Sequence, residues 1–139
     1  DDFRFTKQNS IRRCFEPRRL ERTIERLIGF EGRYAVTGSF AAAQVAQYAE
    51  SRLLVVYVDD PDAAQGQLGV RSAGTQSNVW LVAPPDGLPF ERAWERGGLC
   101  YAALAQVACD LLGMPGRAPA EAEELLRWME ANPDAWRAD

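Results

Sequence analysis

A single domain of mixed α/β class, a sheet flanked by helices, is predicted by three observations. A chain of 139 residues with 47% apolar content is long enough to bury one core without disulfides. Residues 53–58, Leu-Leu-Val-Val-Tyr-Val, form an unbroken apolar and β-branched run, as a central strand covered on both faces requires. Around it, short strand-like runs alternate with amphipathic helical patterns, and no internal repeat or low-complexity linker interrupts them.

Taken in order, Pro17 suits the first position of a helix in which Leu20, Ile24, Leu27 and Ile28 recur on one face and Gly29 marks the end. On its other face Arg18, Arg22 and Arg26 line up, with Arg19 beside them and Glu21 and Glu25 on the flank. Such a face is either a solvated exterior laced with intrahelical pairs or a surface for a polyanion, and the solvated reading is the more general one. Residues 33–36 read as a buried strand, Thr37-Gly38-Ser39 as a tight turn, and residues 40–49 as an Ala-rich helix that lies close on a sheet. With the strand at 53–58, this arrangement predicts a right-handed parallel crossover. Asp59-Asp60-Pro61-Asp62 breaks the strand and residues 63–68 form a short helical turn. Two further strands follow at 70–73 and 78–83, then an edge segment at 90–94 and a short strand at 99–101. A helix at 103–112 stops at Gly113, and Pro119 opens a last helix with Ala122, Leu125, Leu126 and Met129 as its apolar stripe; Trp136 anchors the tail.

Composition excludes several function classes. The chain has no histidine, which removes His-based triads, Cys-His dyads and His-containing zinc sites. Cys14, Cys100 and Cys109 are odd in number and show no CxxC spacing, so they read as buried thiols in a reducing, cytoplasmic compartment. No apolar run approaches the roughly 20 residues of a membrane helix, no signal-peptide pattern is present, and no membrane partner is expected. Net charge is -4, but residues 1–33 carry nine Lys+Arg against six Asp+Glu and the remainder is correspondingly acidic. Arg12, Arg13, Arg18, Arg19, Arg22 and Arg26 are therefore the candidates for auxiliary contacts to nucleic-acid phosphates. The chain starts in mid-pattern at Asp1-Asp2-Phe3 without Met, which raises the expectation of a preceding segment.

A strand, a Gly-Ser turn, a helix and a second strand is also how nucleotidyl-transferring folds begin. Such enzymes need a Gly-Ser turn that holds nucleotide phosphates and two acids at i, i+2 on one face of the next strand for Mg2+. Here residues 53–58 are apolar, Asp59 and Asp60 are adjacent, and Asp60 and Asp62 are separated by Pro61, so the metal clamp is degenerate. Gly38 permitting a turn and Ser39 capping a helix is the simpler reading, with phosphate binding as the competing one. Ser39, Asp59 and Asp60 remain the residues of an alternative, catalytic reading; no metal or cofactor is otherwise expected. Asp110, in a mostly apolar helix, needs a partner, and Arg117 is the one expected, as a structural tie between helices. The four tryptophans fall in different elements, which favours core and rim packing over base stacking.

Several blocks together carry a resemblance: Tyr34-Ala35-Val36-Thr37-Gly38-Ser39 with Ala41-Ala42, the strand ending Val58-Asp59-Asp60, Asn78-Val79-Trp80-Leu81-Val82-Ala83-Pro84, and Gln106 with Asp110-Leu111-Leu112, Arg117 and Glu121-Ala122-Glu123. In order and spacing, across roughly residues 17 to 136, the chain resembles the C-terminal domain of the AbiEi-type family of abortive-infection, type IV antitoxins and related bacterial transcriptional regulators. The resemblance implies a nucleotidyltransferase-like mixed sheet, with residues 1–16 as a junction after an N-terminal winged helix and 17–139 as the C-terminal domain. It also implies a non-enzymatic regulatory role: operator DNA bound mainly through the winged helix, and a cognate nucleotidyltransferase-like toxin as a protein partner. A divergent Mg2+-dependent nucleotidyltransferase and a simple dimerisation module, acting as a homodimer, are the alternatives.

Overall fold

The computed structural model describes residues 10–46, 52–73, 76–114 and 118–136. In chain order its elements are β1 (Ser10–Phe15), α1 (Leu20–Ile28), β2 (Tyr34–Thr37), α2 (Gly38–Ala42), β3 (Leu54–Val58), α3 (Pro61–Leu68), β4 (Arg71–Ser72), β5 (Val79–Ala83), β6 (Trp94–Arg96), β7 (Leu99–Tyr101), α4 (Leu104–Leu112) and α5 (Ala118–Ala131), with 3-10 turns at Leu88–Phe90 and Pro133–Ala135. The fold is mixed α/β. All five residues of β3 are buried, as an apolar run without alternation demands, and β3 is the middle strand of a seven-stranded sheet of order β4-β1-β5-β3-β2-β7-β6.

Register assigns the two faces. Arg12, Leu81, Val56 and Val36 stand side by side across β1, β5, β3 and β2. Arg12 pairs with Asp62 and donates to Gln65 Oε1 (3.0 Å), so α3 covers this face, with α1 packed against α3. The alternate row, Arg13, Trp80, Val55 and Thr37, looks the other way. On that side α2, α4 and α5 pack on one another. Leu27, Leu54, Tyr57, Leu68, Leu81, Leu111 and Leu125 are fully buried in the core between these layers.

Strand direction differs from the expected parallel crossover. β2 and β3 are antiparallel, Tyr34 opposite Val58 and Thr37 opposite Val55. The Ala-rich helix spans only Gly38–Ala42 before turns take over, with residues 47–49 outside the described part. At about 1.5 Å per residue these five residues are too short to carry the chain back along a strand, and β3 runs back from the Gly38 end of β2. The parallel pairings lie elsewhere, β3 with β5 and β2 with β7.

At the N-terminal side, residues 10–15, within the segment read as a junction, are an interior strand paired with both β5 and β4. Asn78 locks its end: its amide accepts from the Glu16 N–H (2.8 Å) and donates to the Glu16 carbonyl (3.1 Å). The first helix begins at Leu20 rather than Pro17, because the buried Glu16 carboxylate captures the Arg18 N–H (3.2 Å) and holds Pro17 and Arg18 in a bend. Asp60 is the cap of α3, its Oδ1 accepting from the N–H groups of Asp62 (3.0 Å) and Ala63 (3.4 Å), so that helix starts at Pro61, earlier than expected. Gly97 and Gly98, at φ 62° and 83°, form the two-residue turn that joins β6 to β7. The edge strand is therefore Trp94–Arg96, while Pro89 sits in a 3-10 turn where the edge segment was expected to begin. Among the described residues no helix is long and apolar enough to cross a membrane.

Candidate functional site

Thr37 ends β2, and Gly38 follows at φ 73°, a conformation glycine adopts without the steric cost a side chain would bring. A Cβ at Gly38 would meet the Met114 side chain and Val55 Cγ2, each at 3.6 Å. The Ser39 hydroxyl donates to Glu121 Oε1 on α5. A hydroxyl in the position to hold a phosphate oxygen thus holds a carboxylate of the chain itself, and Met114 covers the glycine beside it.

Beneath the turn lies a buried polar nest. Asp110 Oδ2 accepts from Thr37 Oγ1 (2.6 Å) and Tyr57 OH (2.8 Å), while Oδ1 accepts from Gln106 Nε2 (2.8 Å). Thr37, Tyr57 and Asp110 are 0%, 1% and 6% exposed, and all three described donors are neutral. Burial therefore dominates: it pushes the Asp110 carboxyl up to about 6, although each hydrogen bond pulls the other way. The Tyr57 hydroxyl is pushed far above its ordinary value by burial and then by the neighbouring carboxylate. Asp110 was expected to tie two helices together through Arg117, which lies outside the described residues. Its described partners instead tie α4 to β2 and β3.

The acids of the catalytic alternative are not at this turn. Asp59 follows β3 at the end of the sheet where β2 begins, and Arg33 clamps it with two hydrogen bonds (3.2 and 2.8 Å) that hold its carboxyl below the usual range. The Arg33 guanidinium also lies 4.3 Å from the Phe90 ring centroid. Asp60 caps α3 and Asp62 pairs with Arg12. Four strand residues of roughly 3.3 Å each, about 13 Å, separate the two ends. Ser39 therefore does not form one site with Asp59 and Asp60, and near the turn β3 supplies Leu54 and Val55. No cluster of three or more potential metal-ligating His, Cys, Asp or Glu side chains occurs among the described residues.

The arginines are dispersed. Arg12 and Arg13 are on opposite faces of the sheet, the first on α3 and the second with its guanidinium 5.0 Å from the Trp80 ring centroid. Arg18 bonds Glu16 (3.1 Å), and Arg26 donates to the Leu68 carbonyl (3.1 Å) close to Gly69. Among the described residues Arg19 and Arg22 carry exposed pairs with Glu21 and Glu25, at 3.4 and 3.7 Å. The thiols divide as well: Cys14 is buried, Cys100 half-buried and Cys109 exposed, because residues 105, 109 and 112 form the outer face of α4. Leu126 and Ile28 are also more exposed than their place in the apolar stripes implied, at 44% and 57%. Thr37, Tyr57 and Gln106 were missed as site residues. Their signal was in the sequence: Tyr57 has the one side-chain polar atom in its apolar run, and Gln106 stands at i-4 from Asp110.

Comparison of the chain with protein-family models, with curated proteins and with solved structures returns no match.

Proposed function

We propose that the chain is a non-enzymatic regulatory and interaction domain of a bacterial, cytoplasmic DNA-binding regulator or type IV antitoxin. The observation that carries this reading is the closure of the Gly38–Ser39 turn by Met114 and Glu121, with apolar residues where a nucleotidyltransferase places its metal-binding acids. A turn used as a joint between sheet and helices serves rigidity, and a rigid body with a surface is what partner binding asks of a domain. The resemblance to the AbiEi-type C-terminal domain supplies the regulatory context, with operator DNA held mainly by a winged helix and a nucleotidyltransferase-like toxin as a protein partner. Arg19 and Arg22, with the loosest pairs of the basic helix, are the residues suited to auxiliary phosphate contacts.

Salt titration of binding to the DNA upstream of its own gene, comparing the complete reading frame with the 139-residue chain, tests the proposal. Specific binding by the complete frame alone is expected, and Arg19→Gln with Arg22→Gln should reduce the slope of log K against log salt by roughly 1.8. Specific binding by neither protein would overturn the regulator reading.

A further inference from the structure

Away from the Gly38–Ser39 turn, a cavity of about 190 Å³ lies where the β6–β7 edge meets α4 and the end of α5. Trp94, Trp128 and Trp136 line it, with Leu104 at its buried side and Arg92 and Arg96 also in the wall. Two of the indoles are fixed by their own hydrogen bonds: Trp94 Nε1 donates to the Ala102 carbonyl (2.9 Å) and Trp136 Nε1 to the Met129 carbonyl (2.8 Å). Trp94 is further stacked on Tyr101, with ring centroids 4.9 Å apart. The walls are thus preorganised aromatic surface, and ring-on-ring contact is the interaction they offer a ligand.

Charge then selects the kind of ring. An aromatic cage alone suits a quaternary ammonium, but two guanidinium groups in the wall make this one repel a cation. Arg96 lies over Trp94 (5.7 Å from the ring centroid) and is tethered to the Gln44 carbonyl. Glu95 is on the opposite face of β6, as strand alternation requires, beside Tyr34 and Cys100, whose hydroxyl and thiol are raised chiefly by burial, with a smaller contribution from this carboxylate. Arg92 differs from Arg96 in having no hydrogen bond or ion pair among the described residues. It also holds φ 58°, the one non-glycine among the described residues with a positive φ. Such a backbone is uncommon for a long side chain and is concentrated at ligand sites. Size sets the last limit: a cavity on the order of 150 Å³ admits benzene, so this one has room for one ring and a small substituent.

We propose that this cavity binds a monocyclic aromatic carboxylate, its ring among the three tryptophans and its carboxylate on Arg92. The site is separate from the Gly38–Ser39 turn, and its occupancy does not depend on whether the chain regulates transcription.

The test is a titration of the chain with sodium benzoate, followed by tryptophan fluorescence and by calorimetry, with benzyl alcohol and choline as the neutral and cationic controls. Arg92→Gly is the informative variant, because glycine accepts the positive φ and folding is preserved while the guanidinium is lost. Saturable benzoate binding is expected, weakened about tenfold or more by Arg92→Gly and by the change to benzyl alcohol, in keeping with a lost charge-assisted hydrogen bond. Absence of saturation, equal binding by Arg92→Gly, or preferential binding of choline would each overturn the proposal.

Discussion

Glu16, 1% exposed where β1 leaves the sheet, and Asp110, 6% exposed on the inner side of α4, are both carboxylates removed from solvent, yet their surroundings are opposite in kind. Burial raises the Glu16 carboxyl, but the Arg18 N–H, the Arg18 guanidinium and the Thr23 hydroxyl outweigh it and the group lies below its ordinary range. Among the described residues Asp110 also has three hydrogen bonds, all from neutral donors, and burial wins. With the same number of described hydrogen bonds on each, the balance between those bonds and burial decides the direction. At Glu16 the bonds together outweigh burial, the Arg18 N–H pulling hardest and the Arg18 charge least, whereas at Asp110 burial outweighs all three. Glu16 is accordingly a fixed joint between β1 and α1. Asp110 is a joint whose charge changes near physiological pH, directly beneath the Gly38–Ser39 turn.

The largest effect expected from breaking this comparison is at Glu16. Glu16→Ala leaves the buried Thr23 hydroxyl without its acceptor and frees Arg18, and should cost about 3 kcal/mol at neutral pH. Urea denaturation would read it, and a loss under about 1 kcal/mol would show that the joint carries little. Because the folded-state pKa of Glu16 is depressed, its contribution is present above the unfolded value and is lost as pH falls through the folded one.

Asp110 should behave with the opposite sign. Its folded pKa, about 6, lies above the unfolded value, so its contribution to stability is full below the unfolded pKa and is lost as pH rises through the folded one. Between about pH 4.5 and about pH 8 the wild-type chain should lose about 2 kcal/mol from this group, a dependence that Asp110→Asn removes. Parallel stability profiles for wild type and Asp110→Asn would show that the nest does not titrate as described. Ser39→Ala is the smallest of the three, about 1 kcal/mol, since its bond to Glu121 is only partly buried. A stability gain there would mean that the turn is strained by its tether.

How much of this was legible follows from where the chemistry is local. The all-buried β3, the strand at β7 and the stop at Gly113 are written in runs of apolar residues and a helix-ending glycine, signals that need no knowledge of distant partners. Strand direction was not legible, because an apolar run reads the same in either orientation and the length of α2 depends on packing. Pro17 as a helix start lost to Glu16, whose carboxylate found Arg18 first. At the candidate site, the apolar character of residues 53–58 could be read directly, whereas the occupants of the turn, Met114 and Glu121, come from 76 and 82 residues downstream of Gly38 and Ser39 and leave no local trace. The Asp110 nest lay between these cases: its Gln106 partner was one helical turn away, but Thr37 and Tyr57 arrived from the sheet.

The central claim is that the Gly38–Ser39 turn is filled by the chain's own α4–α5 region and serves as a joint. Calorimetric titration of ATP in the presence and absence of Mg2+, into wild type and Ser39→Ala side by side, tests it most directly. The account predicts no saturable nucleotide binding in either protein under either condition. Mg2+-dependent binding by the wild type that disappears in a folded Ser39→Ala would contradict it and restore the turn as a nucleotide site.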